Sequence, residues 1–574
     1  MRTARSRFGW VAASAVLVAS ACGSATPSPS AAPTAAPTAT TAPTASPAPG
    51  SACIPATTPA SEDWNQRTWY EVFVRSFADG DGDGIGDLRG LSAKLDYLND
   101  GDPATTGDVG VGGLWLMPVA QSPSYHGYDV IDYRTVEADY GTNEDFKAFV
   151  AAAHERGIDV IVDLVMNHTS SEHPWFEDAQ TPGSAHDDWY VWATQNPAWL
   201  GPDGQVVWHR LDDRWFYGLF WEGMPDLNLR NAEVTAELEN IARFWLSEMG
   251  VDGFRLDAAK HLVEDGRDQV NTPESKAWLA GFKAAVEAAK PGSLLVGEVF
   301  DPASIAGPYV PDSVDLTFNF SLATGIRLAL QNGRAAPLST AFGATLEHWP
   351  PNQAASFLTN HDQDRIMSQL GGDLPSARLA AFLLMTAPGV PFVYYGEEIG
   401  MSGRKPDERI RTPMQWSADG PSGGFSSAAA WQPLADDWQT VNVAAQDADP
   451  DSLLTAYRAL VRLRTANAAL LEGATTILEG GAEPVIGWLR TTADQTLLVV
   501  VNVADEPVAD YGLSVADGPL CGGVSARLLG TIGGDPDAPV TAPAVTTGGG
   551  LDGYAPLGTL APRSGYVIAL EAAP

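Results

Sequence analysis

The segment Val251-Asp-Gly-Phe-Arg-Leu-Asp-Ala-Ala-Lys-His261 interleaves apolar residues with Asp252, Arg255 and Asp257, directly after Met249-Gly250. This pattern predicts a short buried strand. Asp257 then stands at its carboxyl end, where α/β barrels gather their chemistry. Arg255, two residues earlier, shares the same side, because strand side chains repeat every second residue. A guanidinium beside a carboxylate favours the ionised form. Two readings stay open for such an acid: a nucleophile, or half of a structural ion pair. Three further apolar runs also end in acids. Ser293-Leu-Leu-Val-Gly-Glu-Val299 ends at Glu298, and Ala355-Ser-Phe-Leu-Thr-Asn-His-Asp362 ends at His361-Asp362. Gly157-Ile-Asp-Val-Ile-Val-Asp-Leu-Val-Met-Asn-His168 carries Asp163 near its end and Asn167-His168 beyond.

Outward from these runs, strand patterns recur at 69–74, 113–117, 158–163, 253–257, 294–298, 314–320, 356–360 and 391–395. Helical patterns over 143–156, 232–249, 274–289 and 376–386 fall between them. Eight such alternations predict an α/β fold, a (β/α)8 TIM barrel, within a catalytic region at 61–444. The connection after the third strand is too long for an ordinary loop. It predicts an inserted lobe over 168–228, which holds seven of the 18 tryptophans, as sugar-stacking platforms or as the lobe's own core. After one helix at 450–466, short alternating runs separated by Gly, Asp and Pro predict a C-terminal antiparallel β-sandwich over 445–574.

The four acidic stretches, in this order, resemble the signature regions of the α-amylase superfamily (glycoside hydrolase family 13), and the resemblance spans roughly residues 62–574. It implies a retaining glycosidase in which Asp257 is the nucleophile and Glu298 the general acid and base. Asp362 would bind sugar hydroxyls and keep the pKa of Glu298 high. Two carboxyls about 5–5.5 Å apart give retention. Ser124-Tyr-His-Gly-Tyr-Asp129 resembles the family's stacking loop. The implied substrate contacts are Tyr128 beneath the sugar, His126, His168 and His361 as hydrogen-bond donors, and Arg255. Lys260 and His261 would meet the reducing-side sugars.

Asp79-Gly-Asp-Gly-Asp-Gly-Ile-Gly-Asp87 spaces carboxylates two apart around glycine turns, a geometry that wraps a hard cation. Asp79, Asp81, Asp83, Asp87 and the Ile85 carbonyl are the expected Ca2+ ligands, a metal-free surface turn being the alternative. Gly90 stands where an EF-hand closes with Glu. By resemblance, Asn167, Asp226 and the His261 carbonyl form a second calcium site. Met224-Pro-Asp-Leu-Asn228 resembles an intermediate group between α-amylases, oligo-1,6-glucosidases and neopullulanases. Ala258, where α-1,6-cleaving relatives carry valine, favours α-1,4 bonds in starch and maltooligosaccharides. Arg411-Thr-Pro-Met-Gln-Trp416 is shared with oligoglucosidases and trehalose synthases, so transglycosylation or isomerisation stays open. Relatives that only bind glycans lose the carboxylates, and all three are present here.

The chain begins with Arg2, Arg5 and Arg7, an apolar run, and Ala19-Ser-Ala-Cys22. This is the pattern of a secretory signal, residues 1–22, and its apolar run is shorter than the ~18 residues of a membrane span. Cys22 resembles a bacterial lipoprotein cysteine, with plain secretion as the alternative. Residues 23–60, nearly all Ala, Pro, Ser, Thr and Gly, predict an extended tether. Localisation is thus expected outside the membrane, with contact to it through Cys22 alone, and a monomer is expected. The net charge of −37 argues against nucleic-acid binding, which needs a basic face. Cys53 and Cys521 either form a disulfide or stay as two thiols.

Overall fold

Eight parallel strands close on themselves in chain order: β1 (Trp69–Val72), β2 (Gly113–Leu116), β3 (Asp159–Leu164), β4 (Gly253–Leu256), β5 (Leu294–Gly297), β6 (Leu316–Phe318), β7 (Ala354–Phe357) and β8 (Val390–Tyr394). The computed structural model describes residues 56–572. The expected signal with Cys22, most of the tether and Cys53 lie outside them. Cys521 is disulfide-bonded, and Cys53, the expected partner, lies outside the described residues. No helix of the described residues is long and apolar enough to cross a membrane.

Alternation along the strands builds two apolar layers. Trp69, Trp115, Ile161, Leu294, Val296, Phe318, Phe357 and Phe392 fill the barrel interior, with Trp115 and Phe318 packed ring to ring at 5.1 Å. Their neighbours Tyr70, Leu114, Val160, Leu295 and Val393 face the helices outside. The helices start where capping chemistry allows. Thr142 caps Asn143–His154 and exchanges hydrogen bonds with Asp145, and Thr272 caps Pro273–Ala289, satisfying N–H groups that a first turn leaves unpaired. The helix expected over 232–249 is Ala232–Phe244 followed by a π turn, Trp245–Met249. It stops at Gly250, whose φ of 87° suits a residue without Cβ.

The lobe between β3 and β4 holds a three-stranded antiparallel sheet, Trp192–Ala193, Arg214–Tyr217 and Trp208–Leu211. Trp189 and Trp208 are buried in it, and Arg214 lies 3.4 Å from the Trp192 ring centroid. Trp208, with Trp199 and Trp215 against it, serves the lobe's own small cluster. Trp175, Trp189 and Trp192 pack on the main cluster shared with the barrel, and Trp221 is exposed.

The C-terminal part is a five-stranded antiparallel sheet facing a three-stranded one. Leu489, Leu498, Val500 and Ile568 pack between the sheets. The alternate residues Trp488, Val499, Val501 and Val567 join the barrel's helical layer. Two arginines lock this joint. Arg464 donates to the carbonyls of Met385 (2.9 Å) and Gly389 (2.8 Å). Arg490 donates to Ala387 (3.1 Å), Ala469 (3.0 Å) and Leu470 (3.0 Å). Both are fully buried, and burial pulls each down to about 9. They cap carbonyls at the end of helix Leu374–Thr386 and the entry to β8, which no helical N–H reaches.

Candidate active site

Strand register brings the acids together. β3 sets Asp163 opposite Arg255 of β4, and β4 sets Leu256 opposite Gly297 of β5. The next residues, Asp257 and Glu298, therefore leave adjacent strands side by side. With Asp362, from beyond β7, they line one cleft of about 460 Å3.

Arg255 is the hub, its side chain 1% exposed. Its Nη1 donates to Asp163 Oδ1 (2.7 Å) and Asp257 Oδ1 (2.8 Å), and its Nη2 lies 2.8 Å from Glu298 Oε2. Ala258 adopts a φ of 50° and donates its N–H to Glu298 at 3.2 Å. A left-handed alanine costs on the order of 1 kcal/mol. Burial pushes Asp257 and Glu298 above the usual carboxylate range, and Arg255 opposes the rise in both. Repulsion from Asp362 adds to it in both, and Asp257 adds to it in Glu298. Burial likewise raises Asp163, against Arg255 and His361, to about 6.

Asp362 has the opposite balance. Burial works against its charge, but His361 Nε2 (3.2 Å) and Arg411 Nη2 (2.8 Å) hold it well below the usual range. Burial alone would depress His361. Asp362 and Glu71, whose Oε1 is 2.5 Å from His361 Nδ1, instead push it up to about 10.

The Tyr128 hydroxyl meets Asp163 Oδ2 (3.0 Å) and His361 Nε2 (2.8 Å), which fixes its ring at the cleft. His126 Nδ1 accepts the Tyr128 N–H at 3.1 Å, so its proton sits on Nε2; burial lowers its pKa. His168 and His361 both have protein partners on their rings. His168 Nε2 donates to the Tyr128 carbonyl (3.0 Å) and its Nδ1 lies 3.4 Å from the Asn167 amide, so protein groups face both nitrogens. His361 is likewise held at both nitrogens. The two rings position Tyr128 and Asp362. Lys260 is also tied, to the Phe300 carbonyl (2.9 Å) and Asp301 (3.1 Å). His261 Nδ1 faces the Gln269 carbonyl at 3.2 Å, and burial lowers it to about 4.

Motif reading missed Asp407, Asp203 and the exposed rings of Phe220 (44%) and Phe300 (61%) in the cleft, and gave Arg411, quoted in a motif, no role there. Trp221 (52% exposed), one of the lobe tryptophans read as stacking platforms or core, also lines the cleft. Motif reading also missed Glu71, although an acid inside the apolar run of β1 is a visible signal. Phe220 gave none, and the motif that begins at Arg411 did not name its partner Asp362, which lies far along the chain.

At the acidic loop, Asp79, Asp81 and Asp87 bring carboxylate oxygens within 4.8 Å of one another, a hard-oxygen set that fits a divalent cation. Asp83 falls outside this group; its Oδ1 accepts the Ile85 N–H at 2.7 Å. Asn167 and Asp226 also meet, amide to carboxylate at 2.9 Å. Asp226 is buried and forms no ion pair among the described residues, and burial pushes its pKa well up. A buried acid in this state also fits a cation.

The family described as "Alpha amylase, catalytic domain" matches residues 71–473. The chain belongs to the α-amylase family. "Alpha-amylase 3" of Dictyoglomus thermophilum is 38% identical over 449 residues, 77% of this chain and 86% of that protein. The "Trehalose synthase" of Thermus thermophilus is 35% identical over 491 residues, 76% of this chain but 50% of that protein. The crystal structure of an α-amylase from H. orenii superposes with a TM-score of 0.75 at 41% identity, covering 88% of this chain and 99% of that one. This member of the α-amylase family is a glycoside hydrolase.

Proposed function

We propose that the enzyme cleaves α-1,4-glucosidic bonds in starch and maltooligosaccharides with retention. The reading rests on one observation above all: a single guanidinium touches the carboxyls of both Asp257 and Glu298 at 2.8 Å. Glu298, its pKa raised by burial and two neighbouring acids, gives its proton to the leaving glycosidic oxygen. Asp257 attacks the anomeric carbon as that bond breaks, forming a glycosyl ester. Glu298, now a carboxylate, takes a proton from water, whose oxygen displaces Asp257. Asp362 accepts from sugar hydroxyls, His126 donates from Nε2, and Tyr128 supplies the ring beneath the sugar. The small side chain of Ala258 and the likeness to two α-amylases favour the α-1,4 linkage. Ca2+ would be held by Asp79, Asp81 and Asp87, and a second ion by Asn167 and Asp226. Bound there, an ion would supply positive charge to carboxylates that otherwise repel one another.

The test is a product time course from maltoheptaose, beside Asp257→Asn and beside enzyme treated with EDTA. Short maltooligosaccharides from the wild type, none from the variant, and slower cleavage after chelation are expected. Trehalose, or products longer than the substrate, would move the assignment to an isomerase or transglycosylase. Undiminished cleavage by Asp257→Asn would remove Asp257 from its role.

A further inference from the structure

The acidic loop 79–87 has no closing acid of its own, and a segment from far along the chain lies against it. That segment, 422–431, follows β8 and contains neither helix nor strand. Ser426 Oγ donates to Asp79 Oδ2, the Asp79 N–H to the Phe425 carbonyl (3.0 Å) and the Trp431 N–H to the Gly84 carbonyl (2.9 Å). The fit is close: Gly84 has a φ of 100°, and a Cβ there would lie 2.2 Å from the Ala429 carbonyl oxygen. A segment without a ladder of its own depends on such outside partners for its order.

The same segment ends beside the cleft. The Trp431 ring packs on Tyr125 at 5.4 Å between centroids and edge-on to Phe73, and its Nε1 donates to Ser76 Oγ (3.1 Å). Tyr125 in turn meets the His126 ring at 5.4 Å and feels the charges of Arg411, Asp407 and Asp362. His126 lines the cleft, whereas Tyr125 and Trp431 do not. The two aromatic rings therefore back the ring of His126, and any effect of Trp431 on the sugar must pass through it.

We propose that Trp431 is a positioning residue for His126: ordered by the cation loop through 422–431, it holds Tyr125 against His126 and so sets the donor that meets the sugar. The inference rests on the functional reading above, which gives His126 its sugar contact and the loop its Ca2+. The full chain, freed of metal with EDTA, is followed by hydrogen exchange before and after Ca2+ is added back, and kcat and KM are measured on maltoheptaose. In the wild type, Ca2+ slows exchange at 79–87, 422–431 and 124–128. In Trp431→Ala it still slows 79–87 but no longer 124–128. KM then rises about fivefold, the worth of one aromatic pair, with kcat within about twofold; Trp431→Phe, which keeps a ring, restores it. Ser426→Ala leaves every ring in place and raises about fivefold the Ca2+ concentration that half-slows 79–87, through the loss of one hydrogen bond. This second variant carries the test if Trp431→Ala does not fold. Exchange at 124–128 that ignores Ca2+ in the wild type, or responds equally in Trp431→Ala, would overturn the proposal, as would an unchanged KM or an unchanged Ca2+ requirement in Ser426→Ala. A wild type that leaves maltoheptaose intact would overturn the functional reading instead, and exchange at 124–128 would still decide whether Trp431 acts on His126.

Discussion

Asp362 carries a charge that its neighbours compete to use. It is ionised because His361 and Arg411 hold it so, and it in turn raises Glu298 and Asp257 by repulsion. Asp362→Asn removes that repulsion. Glu298 then loses its proton at lower pH, so the alkaline limb of kcat/KM moves to lower pH. The sign follows from the charge: a negative neighbour raises an acid, and its removal lowers it. Losing a group that holds the sugar also costs kcat, roughly a hundredfold. A pH–rate profile of the variant checks both effects. An alkaline limb that stays in place or moves upward would show that Asp362 does not tune Glu298.

The strands that bear Asp257 and Glu298 depend on one glycine. Gly253 opens β4 with a φ of 152°, and a Cβ there would lie 2.0 Å from the Leu294 carbonyl oxygen of β5. Gly253→Ala must push the two strands apart, at a cost of roughly 3 kcal/mol. Thermal unfolding should show a clearly lower Tm, with kcat reduced in the folded fraction; an unchanged Tm would mean that the strands give way freely. The existence of these strands was legible in the sequence, since apolar alternation and capping residues are local signals. Their ends were less so. The run expected to continue as strand to Asn360 leaves the ladder after Phe357, and those residues turn to carry His361 and Asp362. Contacts across the barrel were not legible at all. Glu71 with His361 and Arg411 with Asp362 join distant elements, and nothing in either local pattern names the partner.

Over the whole molecule, a net charge of −37 repels itself in the folded state. Raising NaCl from about 10 mM to about 500 mM shortens the Debye length to a few ångströms, so Tm should rise with salt; a steady fall would mean that attractive pairs outweigh the repulsion. The buried Arg464 and Arg490 bear on how this protein can be cut and recombined. The family match ends at residue 473, ahead of Arg490. A chain stopped there would strip the Ala387 carbonyl of the Arg490 donor and uncover the Trp488 side of the joint. In hybrids between relatives, the crossover is better placed before helix Leu374–Thr386, so that the helix, both arginines and the sheet they serve are inherited from one parent.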